Sequence, residues 1–379
     1  MNKICVVVTA RPSYSRVRSV LQALSKNVEV ELDIVLSGTA NIDKYGDIEP
    51  LLHADRLKIS ENLSTVVSGD RPAIMGNTTA LALSKLSDYF ERCRPNAVVT
   101  IADRFETIST SIAASYQNIP LVHFQGGERT GNIDDRVRNA NTKLSDYHYV
   151  STKQAERTVI GMGEEPTRVF NFGCPSLDIA KPIRNLKNLD FDPIKKYGGV
   201  GANIDFKKEY IVALQHPHTL TAETARIEIE ETIRALKEVG LPVAMFWPNI
   251  DSGHDLTSKA IRTFRENNVE LPFRFFKNLS SEDFLKLIRF SKCLVGNSSA
   301  GIREAGFLGV PVINIGGRQN GRERASNVIE CNCDAGEIKN AILNQLRHGN
   351  LFEQSNLYGD GDSGIKIANH LAQLNFSLK

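Results

Sequence analysis

Apolar residues in this chain gather in short continuous runs, separated by amphipathic stretches. Ile4-Cys5-Val6-Val7-Val8-Thr9 opens the series as an unbroken run of strand length. A run without polar alternation suits a parallel strand covered on both faces. After Ala10-Arg11-Pro12-Ser13, the residues Val17, Val20, Leu21 and Leu24 recur at helical spacing. Val30 to Leu36 reads as a second strand, Leu81 to Phe90 as a helix and Ala97 to Ile101 as a strand. Ile108 to Tyr116 then reads as a helix and Pro120 to Phe124 as a strand. Strand and helix in turn predict a doubly wound α/β domain built on a parallel sheet.

The pattern breaks between about Leu177 and Tyr210, where Lys181-Pro182, Leu189 to Pro193 and Gly198 to Gly201 leave little periodicity. This stretch reads as an interdomain connection. A second series follows, with strands at Tyr210 to Leu214, Val243 to Trp247, Cys293 to Val295 and Pro311 to Ile315. Its helices are expected around Ala222 to Val239, Ser258 to Asn267, Ser281 to Arg289 and Gly336 to Arg347. The expected division is residues 1–180 and 181–361, both Rossmann-like, with a C-terminal helix in 362–379 returning to the first domain. Two such domains are expected to face a cleft between the carboxyl ends of their sheets, where open α/β sheets bind ligands.

Composition narrows the picture modestly. A length of 379 residues suits two domains with separate cores. The net charge of +2 is too balanced to argue for nucleic acid, and basic pairs such as Lys207-Lys208 read as solvated surface. Cys5 and Cys293 lie in apolar runs, and Cys331-Asn332-Cys333 lacks the spacing of a CxxC metal or redox motif. No metal is expected. Met1-Asn2-Lys3 runs straight into a strand, and no apolar run approaches the ~18 residues of a membrane span. A reduced, cytoplasmic setting with no membrane partner is the expectation.

Candidate chemistry lies where strands end. Cys293 to Arg324 reads as strand, polar glycine turn, short helix, strand, then a glycine-arginine loop. The turn Gly296-Asn297-Ser298-Ser299-Ala300-Gly301 offers free backbone N–H groups at a helix start, which suits a phosphate. Glu304 is placed about one turn inside, where a carboxylate accepts from sugar hydroxyls. Arg318, Arg322 and Arg324 add positive charge after the second strand. Asp103, in Ala102-Asp103-Arg104-Phe105-Glu106, is either a desolvated acid-base carboxylate or a helix N-cap. Gln125-Gly126-Gly127-Glu128 leads to Asp134-Asp135, so three carboxylates follow a glycine pair that permits close backbone approach. The bland alternative there is a capped turn into a helix. His216 precedes Pro217 at a strand end and reads equally as a phosphate ligand or a satisfied histidine. Asn249-Ile250-Asp251 also ends a strand and alone reads as a turn.

The order of these motifs resembles the UDP-N-acetylglucosamine 2-epimerase family, and within it the hydrolysing branch that makes free N-acetylmannosamine for sialic-acid-type sugars. The matching landmarks are Thr9-Ala10-Arg11 with Arg16, Asp103-Arg104-Phe105-Glu106, and Gly126-Gly127-Glu128 with Thr130-Gly131 and Ile133-Asp134. They continue with Thr142-Lys143-Leu144, His216-Pro217, and Pro248-Asn249 with Asp251 and Gly253. The last are Gly296-Asn297-Ser298-Ser299 with Gly301 and Glu304, and Gly316 with Arg318-Gln319 and Gly321-Arg322.

The resemblance implies a GT-B-like fold with the acid-base residues on the first domain and the nucleotide held mostly by the second. It implies that a base removes the C2 proton while the nucleoside diphosphate leaves C1. The resulting glycal takes up water at C1 and a proton at the opposite face of C2. By family position Asp103 and Asp134 are the acid-base candidates, and His216, Arg11 and Ser298-Ser299 hold the diphosphate. Glu304 meets the ribose, while Glu128, Gln125, Arg16, Asn249, Asn297, Arg318, Gly321 and Arg322 complete the expected site. No cofactor is implied, and a homodimer is.

Three departures bear on the sugar more than on the reaction. Gln125 stands where many relatives carry Glu, Ala102 where they carry Gly, and Asn139 follows Arg138 where they carry His. Gln is not a base but can hydrogen-bond the sugar. A UDP- or GDP-N,N'-diacetylbacillosamine substrate, as in legionaminic-acid pathways, fits the Gln125 variant. Other readings are a non-hydrolysing epimerase, a GT-B glycosyltransferase and a catalytically inactive nucleotide-sugar sensor.

Overall fold

The structure, a computed structural model, describes residues 1–42, 48–69, 73–131, 133–217, 224–248, 254–349 and 351–379. Two compact units share the chain. Met1–Glu128, Ile133–Asp178 and Tyr358–Lys379 form the first, and Arg129–Asn132 with Ile179–Leu357 the second.

The first unit holds a seven-stranded sheet: β1 (Asn2–Val8), β2 (Val30–Leu36), β3 (Glu61–Asn62), β4 (Ala97–Ile101), β5 (Leu121–Phe124), β6 (Tyr147–Val150) and β7 (Val169–Asn171). The order is β3-β2-β1-β4-β5-β6-β7, with every pair parallel. Its direction of winding reverses between β1 and β4. The apolar run of β1 is explained by two cores. Ile4, Val6 and Val8 face the helix Arg11–Leu24, whose Val17, Val20, Leu21 and Leu24 are buried. Cys5 and Val7 face the other way, among Leu86 and Phe90 of the helix Ala73–Cys93. The helix Ser363–Gln373 returns to the first core, where Ile367, Ala368 and Leu371 pack.

The second sheet comprises β8 (Val200–Gly201), β9 (Ile211–Leu214), β10 (Val243–Phe246), β11 (Phe273–Phe276), β12 (Cys293–Gly296), β13 (Val312–Ile315) and β14 (Val328–Cys331). Its order is β14-β13-β12-β9-β10-β11-β8, parallel except for β8 against β11. Here the winding reverses between β9 and β12.

Several elements depart from expectation. The stretch from Leu177 to Tyr210 carries a short helix at Pro193–Tyr197 and the edge strand β8. β11 was hidden by Arg274, a cation inside an otherwise aromatic strand. Its guanidinium is satisfied by the carbonyls of Gly198 and Gly201 at the sheet edge, at 2.7 and 2.8 Å. β6 was hidden by His148, which is buried beside Glu164. The helix over Leu81 to Phe90 starts earlier, at Ala73.

Candidate functional site

In the first unit the reversal point collects the ends of β1 and β4. β1 leads through Ala10, in extended backbone with no side-chain cap, into the helix that Arg11 begins. β4 leads into Ala102, whose φ of 60° lies in the left-handed region. Glycine adopts this conformation without strain, whereas an alanine there carries some. Here the turn is held from outside. The Ala102 carbonyl accepts from His123 Nε2 at 3.0 Å and from Asn141 Nδ2 at 3.3 Å. Because a carbonyl only accepts, His123 carries its proton on Nε2, and its Nδ1 accepts from Thr142 Oγ1 at 3.1 Å. Burial lowers the His123 pKa to about 3, so the ring stays neutral.

The turn delivers Asp103, which is 6% exposed. Two guanidinium groups reach it: Arg138 through a close hydrogen bond to Oδ2, and Arg16 at 3.5 Å from Oδ1. Arg138 also bonds Asp135 and donates to the Glu128 carbonyl at 2.6 Å. Burial pulls the Arg138 pKa down, but the fields of Asp103 and then Glu128 outweigh it and leave it raised. The helix after Asp103 begins at Thr107 with Glu106 in the cap position, so Asp103 is not the N-cap.

β5 ends in Gln125, also left-handed at φ 64°. Its amide Nε2 donates to Cys174 Sγ at 3.3 Å, and its buried Oε1 has no partner among the described residues. A Cβ on Gly127 would lie 2.2 Å from the Ala155 carbonyl oxygen, so the glycine pair admits no side chain there. Asp134 and Asp135 occupy the first turn of the helix Ile133–Leu144, and Arg138 lies one turn on. Asn139 is exposed on that helix, away from the Asp103 network.

In the second unit the reversal point is built by Asn297. Its Oδ1 accepts from the His216 backbone N–H and its Nδ2 donates to the His216 carbonyl, each at 2.8 Å. The ends of β9 and β12 are thereby stitched together. Gly296 makes this possible: its φ is 138°, and a Cβ would lie 1.9 Å from the Leu214 carbonyl oxygen. Ser298 caps the short helix Ser299–Ile302, accepting from the Ala300 N–H at 3.3 Å. The helix is interrupted at Arg303, so Glu304 starts a separate helix, Glu304–Leu308. Its Oε2 is buried without a partner among the described residues.

After β13, Gln319 Nε2 donates to the Asn297 carbonyl at 2.8 Å, and Arg318 Nη1 makes a longer contact to the same oxygen at 3.5 Å. Arg322, almost fully buried, bonds the Gln319 side-chain oxygen. Gly321 is left-handed at φ 84°. Asn249 lies outside the described residues, as do Asp251, Gly253, Asn132 and His218.

Sequence reasoning missed Arg138 and Gln319 as site residues. Arg138 was detectable from its i,i+3 spacing to Asp135 on a helix opening with two carboxylates. Among the described residues there is no grouping of three or more His, Cys, Asp or Glu placed to hold a metal ion. No helix among them is long and apolar enough to cross a membrane.

Two largely parallel α/β sheets, each with polar groups at its reversal point, define a GT-B-like fold. A profile of the UDP-N-acetylglucosamine 2-epimerase family matches residues 22–372. The chain belongs to that family, and is an enzyme of the nucleotide-sugar 2-epimerase type. It is 31% identical over 365 residues to a hydrolysing UDP-N,N'-diacetylbacillosamine 2-epimerase of Legionella pneumophila, covering 95% of this chain and 93% of the relative. It is 32% identical over 348 residues to the polysialic acid biosynthesis protein P7 of Escherichia coli, covering 90% and 85%. Its fold matches a UDP-GlcNAc 2-epimerase from Neisseria meningitidis bound to UDP-GlcNAc, with TM-score 0.81, 18% identity and coverage of 98% and 100%.

Proposed function

We propose that the chain is a hydrolysing 2-epimerase, converting a UDP-linked N-acetylated amino sugar and water to UDP and a free manno-configured sugar. The first unit supplies proton transfer and Arg11, and the second holds most of the leaving group. A base takes the C2 proton, and the C2–H electron pair becomes the C1=C2 double bond as the C1–O bond breaks. UDP departs with that bonding pair. Water then adds its oxygen to C1 and gives up a proton to a carboxylate base, while an acid protonates C2 from the opposite face. Asp103 and Asp134 are the acid-base pair. The N–H groups behind Ser298-Ser299, with His216 and Arg11, hold the diphosphate. Glu304 accepts from the ribose hydroxyls, and Arg318 and Arg322 steady the loop beside them.

The observation that carries the reading is Asp103, a carboxylate held by Arg138 and Arg16 at the first sheet's reversal point. UDP-N-acetylglucosamine is the substrate of first choice. A UDP-N,N'-diacetylbacillosamine substrate is supported by the Legionella relative and by Gln125, whose uncommitted oxygen suits a sugar N–H donor. Each nucleotide sugar incubated in D2O should yield UDP and a free manno sugar deuterated at C2, read by NMR. A nucleotide-linked manno product would overturn the hydrolytic step, and no C2 exchange with either substrate would overturn the enzyme reading.

A further inference from the structure

The amino ends of the second sheet's central strands carry a feature that the epimerase reaction does not use. Lys207-Lys208-Glu209 leads into β9, Ser291-Lys292 into β12 and Pro311 into β13. Together with Arg289 and the end of the helix Ala335–His348 they line a hollow of about 370 Å³. Its walls are tied by backbone bonds from Lys292 N–H to Tyr210 at 2.8 Å and from Leu294 N–H to Pro311 at 2.9 Å. His216 and Asn297 lie at the other ends of β9 and β12, roughly 13 Å along a four-residue strand.

The charge here is lopsided. Lys207, Lys208, Arg289 and Lys292 face one lining carboxylate, Glu209, which is already paired with Lys292 at 2.7 Å. The helices Ser281–Arg289 and Ala335–His348 both end here, and each contributes about half a negative charge at its C-terminus. That offsets roughly one cation and leaves a positive excess. Arg289 is the informative member. Its Nε is buried without a hydrogen-bond partner among the described residues. Burial lowers its pKa, and no carboxylate acts against that shift. Arg289 is half-buried, and its buried Nε–H is a donor left unsatisfied, which an anion in the hollow would complete. Beside it, the Phe290 ring centroid lies 5.6 Å from Arg289 Cζ, and Leu346 and Leu351 add apolar wall.

We propose that this hollow is a second anion site, taking a small phosphate-bearing molecule with an apolar portion, separate from the site of the sugar nucleotide. Cations from two segments, with a planar guanidinium among ammonium groups, match the several oxygens of a phosphate better than one carboxylate. The volume suits a small ligand rather than a macromolecule. Substrates of open α/β sheets occupy the carboxyl ends, so a ligand at the amino ends is an effector or a second anion rather than the reacting sugar.

Calorimetry with inorganic pyrophosphate tests this on the full chain saturated with UDP. One binding event per chain is expected, weakened at least tenfold in Lys207→Gln/Lys208→Gln and in Arg289→Gln, with UDP affinity unchanged. The lysine pair is exposed, so that variant reports even where Arg289→Gln fails to fold. Absence of a pyrophosphate site, or binding indifferent to the lysine variant, overturns the proposal. The site is read as the difference between wild type and variant, so the outcome does not depend on the epimerase reading.

Discussion

Arg138 is fully buried and holds Asp103, Asp135 and the Glu128 carbonyl at once. Removing it leaves buried Asp103 with only the longer Arg16 contact, so Arg138→Met should lower unfolding free energy by about 3–5 kcal/mol in urea titrations. Asp103→Asn should reduce kcat by about 10²–10⁴-fold while UDP affinity, measured by calorimetry, is retained. The double variant should be less destabilised than the two single effects combined, because each single change exposes the other partner. Gly296 is the most constrained backbone position at the site. Gly296→Ala drives a Cβ into the Leu214 carbonyl at a strained φ, and should lose at least ~3 kcal/mol together with UDP binding. The turn at Asn297 was legible because a polar glycine turn follows an apolar strand, whereas Asp103 and His216 stood out only through the order of motifs along the chain. The Arg138 hub was legible only in part: its spacing marks the pair with Asp135, but a charged residue on an amphipathic helix reads as solvated until tertiary contacts such as that to Asp103 bury it.

The paired strands β5 and β6 set His123 directly opposite His148. Burial lowers both pKa values, to about 3 and about 4, with Glu164 partly resisting the shift at His148. An unfolded histidine takes a proton near pH 6.5, whereas these folded ones do not. Stability is therefore complete above about pH 6.5 and falls as pH drops toward the folded values. At pH 5 each ring should cost about 2 kcal/mol. Thermal or urea unfolding between pH 7.5 and 5 should show this, with a shallower pH slope in His148→Gln. The same two strands show where pattern reading fails. β5 was legible as Pro120 to Phe124 because its neighbours Leu121 and Val122 are apolar, whereas Tyr-His-Tyr-Val is not a recognisable apolar run. β11 and β14 were lost for the same reason, since Arg274 and Glu330 interrupt short strands whose edges satisfy them locally.

Across the whole chain, the alternation of strands and helices was enough to give two parallel α/β units, because periodicity depends only on local burial. Where the chain passes from one unit to the other was less legible, since short helices and the two-residue strand β8 leave almost no periodic signal. The helix Ser363–Gln373 closes the core of the first unit with Ile367, Ala368 and Leu371. Deleting residues 358–379 should destabilise that unit by about 3–6 kcal/mol, from two large aliphatic side chains alone, and leave the second unit folded. Proteolysis of the truncated protein should degrade the first unit's segments selectively. The return of the chain also sets an order of events during synthesis. The second unit is nearly continuous in sequence and is whole once Leu357 is made, while the first, begun earlier, still lacks its last helix. At translation rates of about 5–20 residues per second, the amino-terminal half waits roughly 10–40 seconds with an apolar helix face uncovered. A chain that stops before residue 363 therefore leaves the first unit's core uncovered and open to proteases.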